Sequence, residues 1–543
     1  MSSLGLIECW GAEGMATNVV NLDALIPRED FNVDAKPLDI EHDPKIPLSK
    51  LTDGFFGGSL RKPDFQRETY HWSPSRVVDL IRSFLDGELI PAVILWQSGS
   101  YVFVIDGAHR LSALLAWLHD DYGDRARSQK YFDYRVPDEQ IRLAKRTRDL
   151  VQKTIGPYAE YVAAQGKPAD DIRPDMRPRI ARINASHSLT AQWVLSRDPK
   201  VAEDSFFKIN QEASPIDPTE RRIIKGRESA SAVSARAITR AGGGHRYWQK
   251  FATHIRDEIE SRSKALYEAL YHPPMDEGYL KSADVPVAGK GYNSLPFVFD
   301  LVNLANDQKI TDSTAKRPIK EDLPKDPTGE LTVGYLKRVE SLVERVTGNE
   351  SKSYGVHPLV YFYSRTGTFQ PVAFFAVARM LKRLEEKGLA EQFLEVRERF
   401  ENYLIRHREG ISIIIHKLGS GTRSLARMEA YFERVLAALL AGASDEDIQK
   451  GLAGEQEWKF LIQDRGPSET HDQPTAGGSF NKNTKSATVI SQGLAAAVRC
   501  GICGGYIHRN SMHIDHKHRK SEGGLNSVEN AHVAHPICDA LKG

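Results

Sequence analysis

The chain has 543 residues, 41% hydrophobic and 27% charged, with a formal net charge of +1 at pH 7; that is room for about three or four soluble globular domains. The near-zero charge excludes a histone-like binder acting through a global field, so any nucleic-acid surface must be a local patch. No apolar run reaches the roughly 18 residues a membrane-spanning helix needs, and no basic stretch leads into an apolar core as in a secretory leader, so a cytoplasmic location is expected.

Residues 1–44 read as an N-terminal extension, with MATNVVNLDALIPREDF from Met15 resembling a domain start more than Met1 does. The first strong element runs from Ser73 to Gly87. Ser73 suits the N-cap, Pro74 the first helical position and Gly87 the C-terminal stop, and Val77, Leu80, Ile81, Phe84 and Leu85 give one apolar face. PAVILWQ and YVFVID follow as strands joined at Ser98-Gly99-Ser100, a predicted hairpin. A second amphipathic helix carries Leu111, Leu114, Leu115 and Leu118. DGAHR (Asp106 to Arg110) therefore falls at a strand-to-helix junction.

Such a junction offers free backbone amides and a positive dipole end to an anion. Gly107 allows close backbone approach, and Arg110 can fork onto phosphate oxygens. Asp106 is suited to hold a metal or to order Arg110, and Gln66 and Arg67 join them if the strands bring the segments together. The plainer alternative pairs Arg67 and Arg110 with Asp64 and Asp106 as structural salt bridges. PDFQR (Pro63 to Arg67), HWS, VIDGAHRLSALL and FFKINQEASPIDPTERR (Phe206 to Arg222) resemble the ParB/sulfiredoxin-like domain of modification-dependent restriction proteins of the GmrSD and SspE kind. The resemblance covers most of residues 45–230. It implies that Gln66, Arg67, Asp106, Gly107, His109 and Arg110 bind a nucleotide or phosphate, with a nucleoside triphosphate as a candidate ligand. Ala108 departs from the glutamine usual in that motif, which bears on nucleotide hydrolysis.

Beyond Asp121 the chain reads mostly helical as far as Leu461, with clear helical periods over 373–387, 389–405 and 425–440 and surface loops near 282–292 and 306–328. Arg221, Arg222, Lys225 and Arg227 form a basic run after an Asn210-Gln211 turn, either a DNA-backbone contact or a solvated face. The helical middle, 231–463, offers no chemistry of its own. Residues 464–488 hold almost no apolar side chains, and 464–493 is read as a flexible linker to a separate module at 494–543.

Three of the four cysteines, Cys500, Cys503 and Cys538, fall in the last 44 residues, a clustering that fits a metal site better than a disulfide framework. Cys500-x2-Cys503 and His535-x2-Cys538 are two ligand pairs 31 residues apart, the donor set of a closed tetrahedral zinc site. A module of about 50 residues cannot bury enough apolar surface by itself, and structural zinc supplies an apparent ~10–16 kcal/mol.

Between the pairs, Ile514-Asp515-His516, Gly523-Gly524, Asn530 and the closing CDALKG resemble the HNH (ββα-metal) nuclease family. By position, the resemblance implies that Asp515 and Asp539 ligate magnesium or manganese, His516 is the general base, and Asn530 braces the loop that aims it. Phosphodiester hydrolysis asks for these types: an imidazole with an ordinary pKa near 6.5 takes a proton from water, and a hard cation on carboxylates offsets charge on the phosphate. Asp539 replaces the Asn or His usual in that family, and His535 a frequent fourth cysteine. His513 and His518 read as phosphate contacts or as solvated side chains.

Together these features predict an α+β multidomain protein: a ParB/sulfiredoxin-like α/β domain, a largely helical middle and a zinc-stapled ββα-metal module. The expected function is a metal-dependent DNA endonuclease of restriction or antiphage defence, with DNA rather than RNA as partner, other defence proteins as further candidates, and no membrane. The sensor domain would hold the flexibly tethered cutter in check. Two alternatives stay open: a nucleotide-gated DNA-binding protein whose zinc module only grips, and an RNA-directed toxin.

Overall fold

The computed structural model describes residues 19–463 and 479–542, apart from 30, 32–41, 67–71, 133, 135, 137, 214–216, 276–278, 290–293, 312–322 and 420–421. Arg67, Met15 and the first half of the presumed linker lie outside the described residues. The chain divides into two compact units, one from Asn18–Arg227 with Gly243–Arg246, the other comprising Glu228–Gly242 and Tyr247–Gly543.

The N-terminal unit is built on a six-stranded mixed sheet in the order β1-β3-β5-β4-β6-β2. These strands are β1 (Arg28–Glu29), β2 (Lys45–Pro47), β3 (Leu60–Pro63), β4 (Val93–Ser98), β5 (Tyr101–Asp106) and β6 (Ser188–Val194). Central β5 explains why VFVI is apolar without interruption: it is covered on both faces. Val102 and Val104 face a core shared with helices Pro74–Asp86 and Ala108–His119, whereas Phe103 and Ile105 face Phe31, Phe65, Trp96 and Phe206. The expected hairpin is β4–β5, antiparallel, with Gly99 left-handed at its turn. Helix Pro74–Asp86 starts where Ser73 accepts the Arg76 amide at 3.3 Å and stops at left-handed Gly87 (φ 77°).

Three expectations change here. Part of the presumed extension belongs to the core: Val20, Leu22, Leu25, Ile26 and Phe31 are buried, and the Asp23 carboxylate accepts from Arg28, Lys62 and Tyr131. Strand β6 interrupts a stretch read as helical, because its alternation of Leu189 and Ala191 with exposed residues is short and weak. Asn210 and Gln211 lie in helix Pro199–Ala213, not in a turn.

The C-terminal unit is a helical body that carries a small hairpin-plus-helix. Its long helices include Thr253–Tyr271, Glu330–Val346, Pro371–Glu386, Ala390–Arg406 and Thr422–Leu440. The hairpin pairs β7 (His513–His516) with β8 (Ala531–Ala534), and helix Pro536–Lys542 follows directly.

The linker expectation changes over its second half. Residues 482–493, assigned to the linker, belong to helix Lys482–Ala495, capped by Asn481 and packed through buried Ile490 and Leu494. Its Ser486 hydroxyl accepts the Leu280 amide at 3.1 Å. The hairpin region is fixed to the body by a fully buried ion pair, Arg397–Glu401 (2.8 Å), on helix Ala390–Arg406. Arg397 donates to the Tyr354 and Gly355 carbonyls, and Glu401 accepts the Tyr361 hydroxyl and, at 2.6 Å, the Tyr506 amide. A mostly polar segment hides this docking, because the partners lie some 100 residues upstream.

Candidate metal centre and nucleic-acid site

The two cysteine–histidine pairs converge. Cys500 and Cys503 sit on a tight turn in which the Gly504 amide donates to the Cys500 carbonyl at 3.0 Å and the Cys500 amide to the Gly505 carbonyl at 2.8 Å. Left-handed Gly504 (φ 69°) permits that turn. His535 follows β8, and Pro536 opens the helix that carries Cys538. Donor atoms of Cys500, Cys503, His535 and Cys538 all lie within 4.8 Å of one another, the one such group among the described residues. His535 Nε2 meets the Tyr506 carbonyl at 3.0 Å. A carbonyl can only accept, so Nε2 carries the proton and the Nδ1 lone pair faces the sulfurs of Cys503 (3.4 Å) and Cys538 (3.8 Å). Burial, then Arg397, lowers the His535 pKa and keeps the ring neutral. Hydrogen bonds from Cys503 and Cys538 pull the Cys500 thiol far below its ordinary range. Three soft sulfurs and one neutral imidazole, converging and buried, fit zinc.

A second cluster lies where the hairpin meets helix Pro536–Lys542. His513 and Asp515, two apart on β7, share one strand face, and His532 stands opposite Asp515 in the register. Asp539 and Lys542, three apart on the helix, meet that face. Asp539 Oδ2 lies 2.9 Å from His513 Nδ1, and Asp515 Oδ2 accepts from Lys542 (2.7 Å) and lies 3.1 Å from His532 Nε2. Burial opposes ionisation of Asp515, but Lys542, His532 and the His516 amide outweigh it and hold the carboxyl below its usual range. Asp539 is thus engaged by His513, and Asp515 by Lys542 and His532, where the hairpin meets the helix; among the described residues these acids and histidines do not form a group of three donors within 4.8 Å as the sulfur site does. This donor chemistry fits a hard divalent ion.

His516 follows on β7, facing the other side of the strand. Its ring is half-buried and makes no hydrogen bond among the described residues, while its carbonyl accepts from Lys542. Asn530 closes the intervening loop: its Oδ1 accepts the His518 amide at 2.8 Å, and its Nδ2 donates to the His518 and Leu525 carbonyls. His518 itself is exposed, near Glu522.

In the N-terminal unit, Asp106 ends β5, Gly107 is left-handed (φ 93°), and helix Ala108–His119 begins. A Cβ on Gly107 would lie 2.6 Å from Val93 and 2.9 Å from Arg110, so glycine is required both for the turn and for the space the guanidinium occupies. Arg110 donates to Asp106 at 2.6 Å and to the Ala92 carbonyl at 3.2 Å. Gln66 reaches the same strand end, donating to the Ile105 carbonyl at 3.3 Å, and its Oε1 is buried with no hydrogen-bond partner among the described residues. His109 stacks on Trp72. Asp64 pairs with Arg227 at 3.0 Å, and Arg227 also meets Glu203, which takes one member of the basic run out of contention as a free phosphate contact.

Residues 48–227 match the family model of the GmrSD restriction endonuclease N-terminal domain. The match stops where the N-terminal unit stops, at Arg227, so Gln66, Asp106, Gly107, His109 and Arg110 all lie within it. No curated protein and no solved structure matches the chain. The sequence reading missed His532 and Lys542 as neighbours of Asp515. A lone histidine on a strand carries no signal until the register sets it opposite an aspartate. Lys542 shares a helix face with Asp539, but that spacing does not disclose its partner, Asp515.

Proposed function

We propose that this chain is a metal-dependent DNA endonuclease of the restriction type, cutting at an HNH (ββα-metal) site made by Asp515, His516, Asn530 and Asp539. What supports this reading is the junction of the hairpin with the last helix, where Asp515 meets Lys542 and Asp539 meets His513, with His516 next to Asp515 in the chain. The N-terminal unit, read as ParB/sulfiredoxin-like, would sense nucleotide or DNA state through Gln66, Asp106, Gly107, His109 and Arg110, with Arg67 as a further candidate.

Asp515 and Asp539 would hold magnesium or manganese, which would supply charge neutralisation at the scissile phosphate. The His516 imidazole takes the proton of the attacking water at its ring nitrogen. Asn530 keeps the loop after β7 closed, so that the strand end bearing His516 stays in place. Cys500, Cys503, His535 and Cys538 would hold zinc, which would pin the helix against the hairpin, and they take no part in proton transfer.

The test is a plasmid assay with the full chain and magnesium or manganese, on modified and unmodified DNA, with and without nucleotides and against labelled RNA. His516→Ala should lower cutting by about 10²–10⁴-fold with DNA binding intact. DNA binding without cutting by the wild type would favour the gated DNA-binding protein, and cleavage of RNA alone the toxin.

A further inference from the structure

We propose that the outer face of helix Asp138–Thr154, in the N-terminal unit, grips the phosphate backbone of duplex DNA through Arg142, Lys145 and Arg146, with Lys153 at its far end. This inference rests on DNA as the partner in the reading above, and it needs neither metal nor cutting. One face of the helix belongs to the core. Leu143, Ala144, Thr147 and Val151 are buried there, and buried Gln140 donates to the Asn21 and Tyr122 carbonyls at 3.1 and 3.0 Å. The opposite face carries Arg142, Lys145, Arg146, Asp149, Gln152 and Lys153, all exposed.

A fifth basic residue of the same helix, Arg148, is already engaged: it donates to Asp124 at 2.6 Å and to Asp120 at 3.0 Å. Arg142, Lys145, Arg146 and Lys153 reach no carboxylate within 4.0 Å among the described residues, and Asp149, the one acidic side chain described on their face, pairs with neither Lys145 nor Lys153. Arg142 stands three and four positions before Lys145 and Arg146, spacings at which like charges repel and weaken a helix. A helix face built only for solvent gains by mixing signs, whereas this one gathers one sign within a turn, in a chain whose formal net charge is only +1. The stripe therefore suits a polyanion. Lys153 lies eleven positions beyond Arg142, about 16 Å along the axis, and at one phosphate per roughly 3.4 Å of strand that length follows about five phosphates. Contacts of this kind hold a duplex in place and carry no sequence information. The basic run later in the unit is less available, since Arg221 and Lys225 lie over the Phe207 ring and Arg227 is paired with Asp64 and Glu203.

The experiment follows binding of a fluorescein-labelled duplex to the full-length chain by fluorescence anisotropy, without added magnesium or manganese, across a series of salt concentrations. The variant Arg142→Gln/Lys145→Gln/Arg146→Gln is compared with Arg197→Gln/Lys200→Gln/Lys208→Gln, which removes the same charge from exposed side chains elsewhere in the unit, and with Arg142→Lys/Arg146→Lys, which keeps the charge. The first should reduce the slope of log affinity against log salt by about 2–3 and weaken binding at least about tenfold at low salt, equally for modified and unmodified duplexes and at an undiminished melting temperature. The other two should keep the wild-type slope. An unaltered slope in the first variant, an equal loss in the second, a wild type that binds no duplex, or a loss confined to labelled RNA would overturn the assignment. If the helix governs duplex binding and nothing is cut once magnesium or manganese is added, the nuclease reading fails and this inference stands; if the wild type cuts and the first variant binds duplex as the wild type does, the reverse holds.

Discussion

Cys538 and Asp539 are consecutive residues of one short helix, yet they belong to sites of opposite construction. Cys538 is buried among three other donors, with a histidine whose tautomer is set by a carbonyl. Asp539 lies at a half-exposed seam and meets an imidazole that also contacts a neighbouring loop. A donor set that is complete and dry makes a metal part of the fold. Carboxylates at an accessible seam, held by groups that can be exchanged, leave room for a substrate.

The contrast is broken most directly at that pair. Cys538→Ser should remove zinc and with it a stabilisation on the order of 10 kcal/mol, unfolding the hairpin region; zinc analysis and circular dichroism would read it. Asp539→Ala should keep zinc and stay within about 1 kcal/mol of wild type in stability while cutting is lost. Equal destabilisation by both would erase the distinction.

Next in size is Arg397→Ala, which strands the buried Glu401 carboxylate and should cost about 3–5 kcal/mol in denaturant unfolding. Burial opposes the Arg397 charge, but Glu401 and the Cys503 and Cys538 sulfurs outweigh it and raise its pKa. This residue therefore supports the sulfur site as well as the docking.

A smaller effect sharpens the picture through pH. His508 is buried and lies 3.0 Å from the Val285 carbonyl through Nε2; burial lowers its pKa from 6.5 to about 4 despite Asp284 nearby. The unfolded chain binds the proton first, so this stability is complete above about pH 6.5, falls as pH drops toward 4, and changes no further below. The full loss is about 3 kcal/mol, read from urea unfolding at pH 7.5 and 4.5, and His508→Gln should remove that share of the pH dependence.

Local chemistry made much of this legible. Ser73, Pro74 and Gly87 mark a helix because capping is a matter of adjacent residues, and the zinc donors stand out because few other arrangements use tight cysteine and histidine pairs. Asp106 and Arg110 were readable as a pair at helical spacing. What the residues did not disclose is long-range. Glu401 gives no sign of its partner Tyr506, Asp515 none of His532, and the alternation of β6 is too brief to outweigh its helical surroundings. Helix Lys482–Ala495 falls mostly in a stretch that reads as linker because only Ile490 and Leu494 bury large side chains there, too few to raise a periodic signal.

The Arg397–Glu401 pair has a consequence for how the chain can be divided. The last 60-odd residues are kept in place by buried charge, backbone hydrogen bonds and packed side chains. A fragment ending at residue 463 and one starting at residue 479 should therefore co-elute from a sizing column until acid, chelator or denaturant pries them apart.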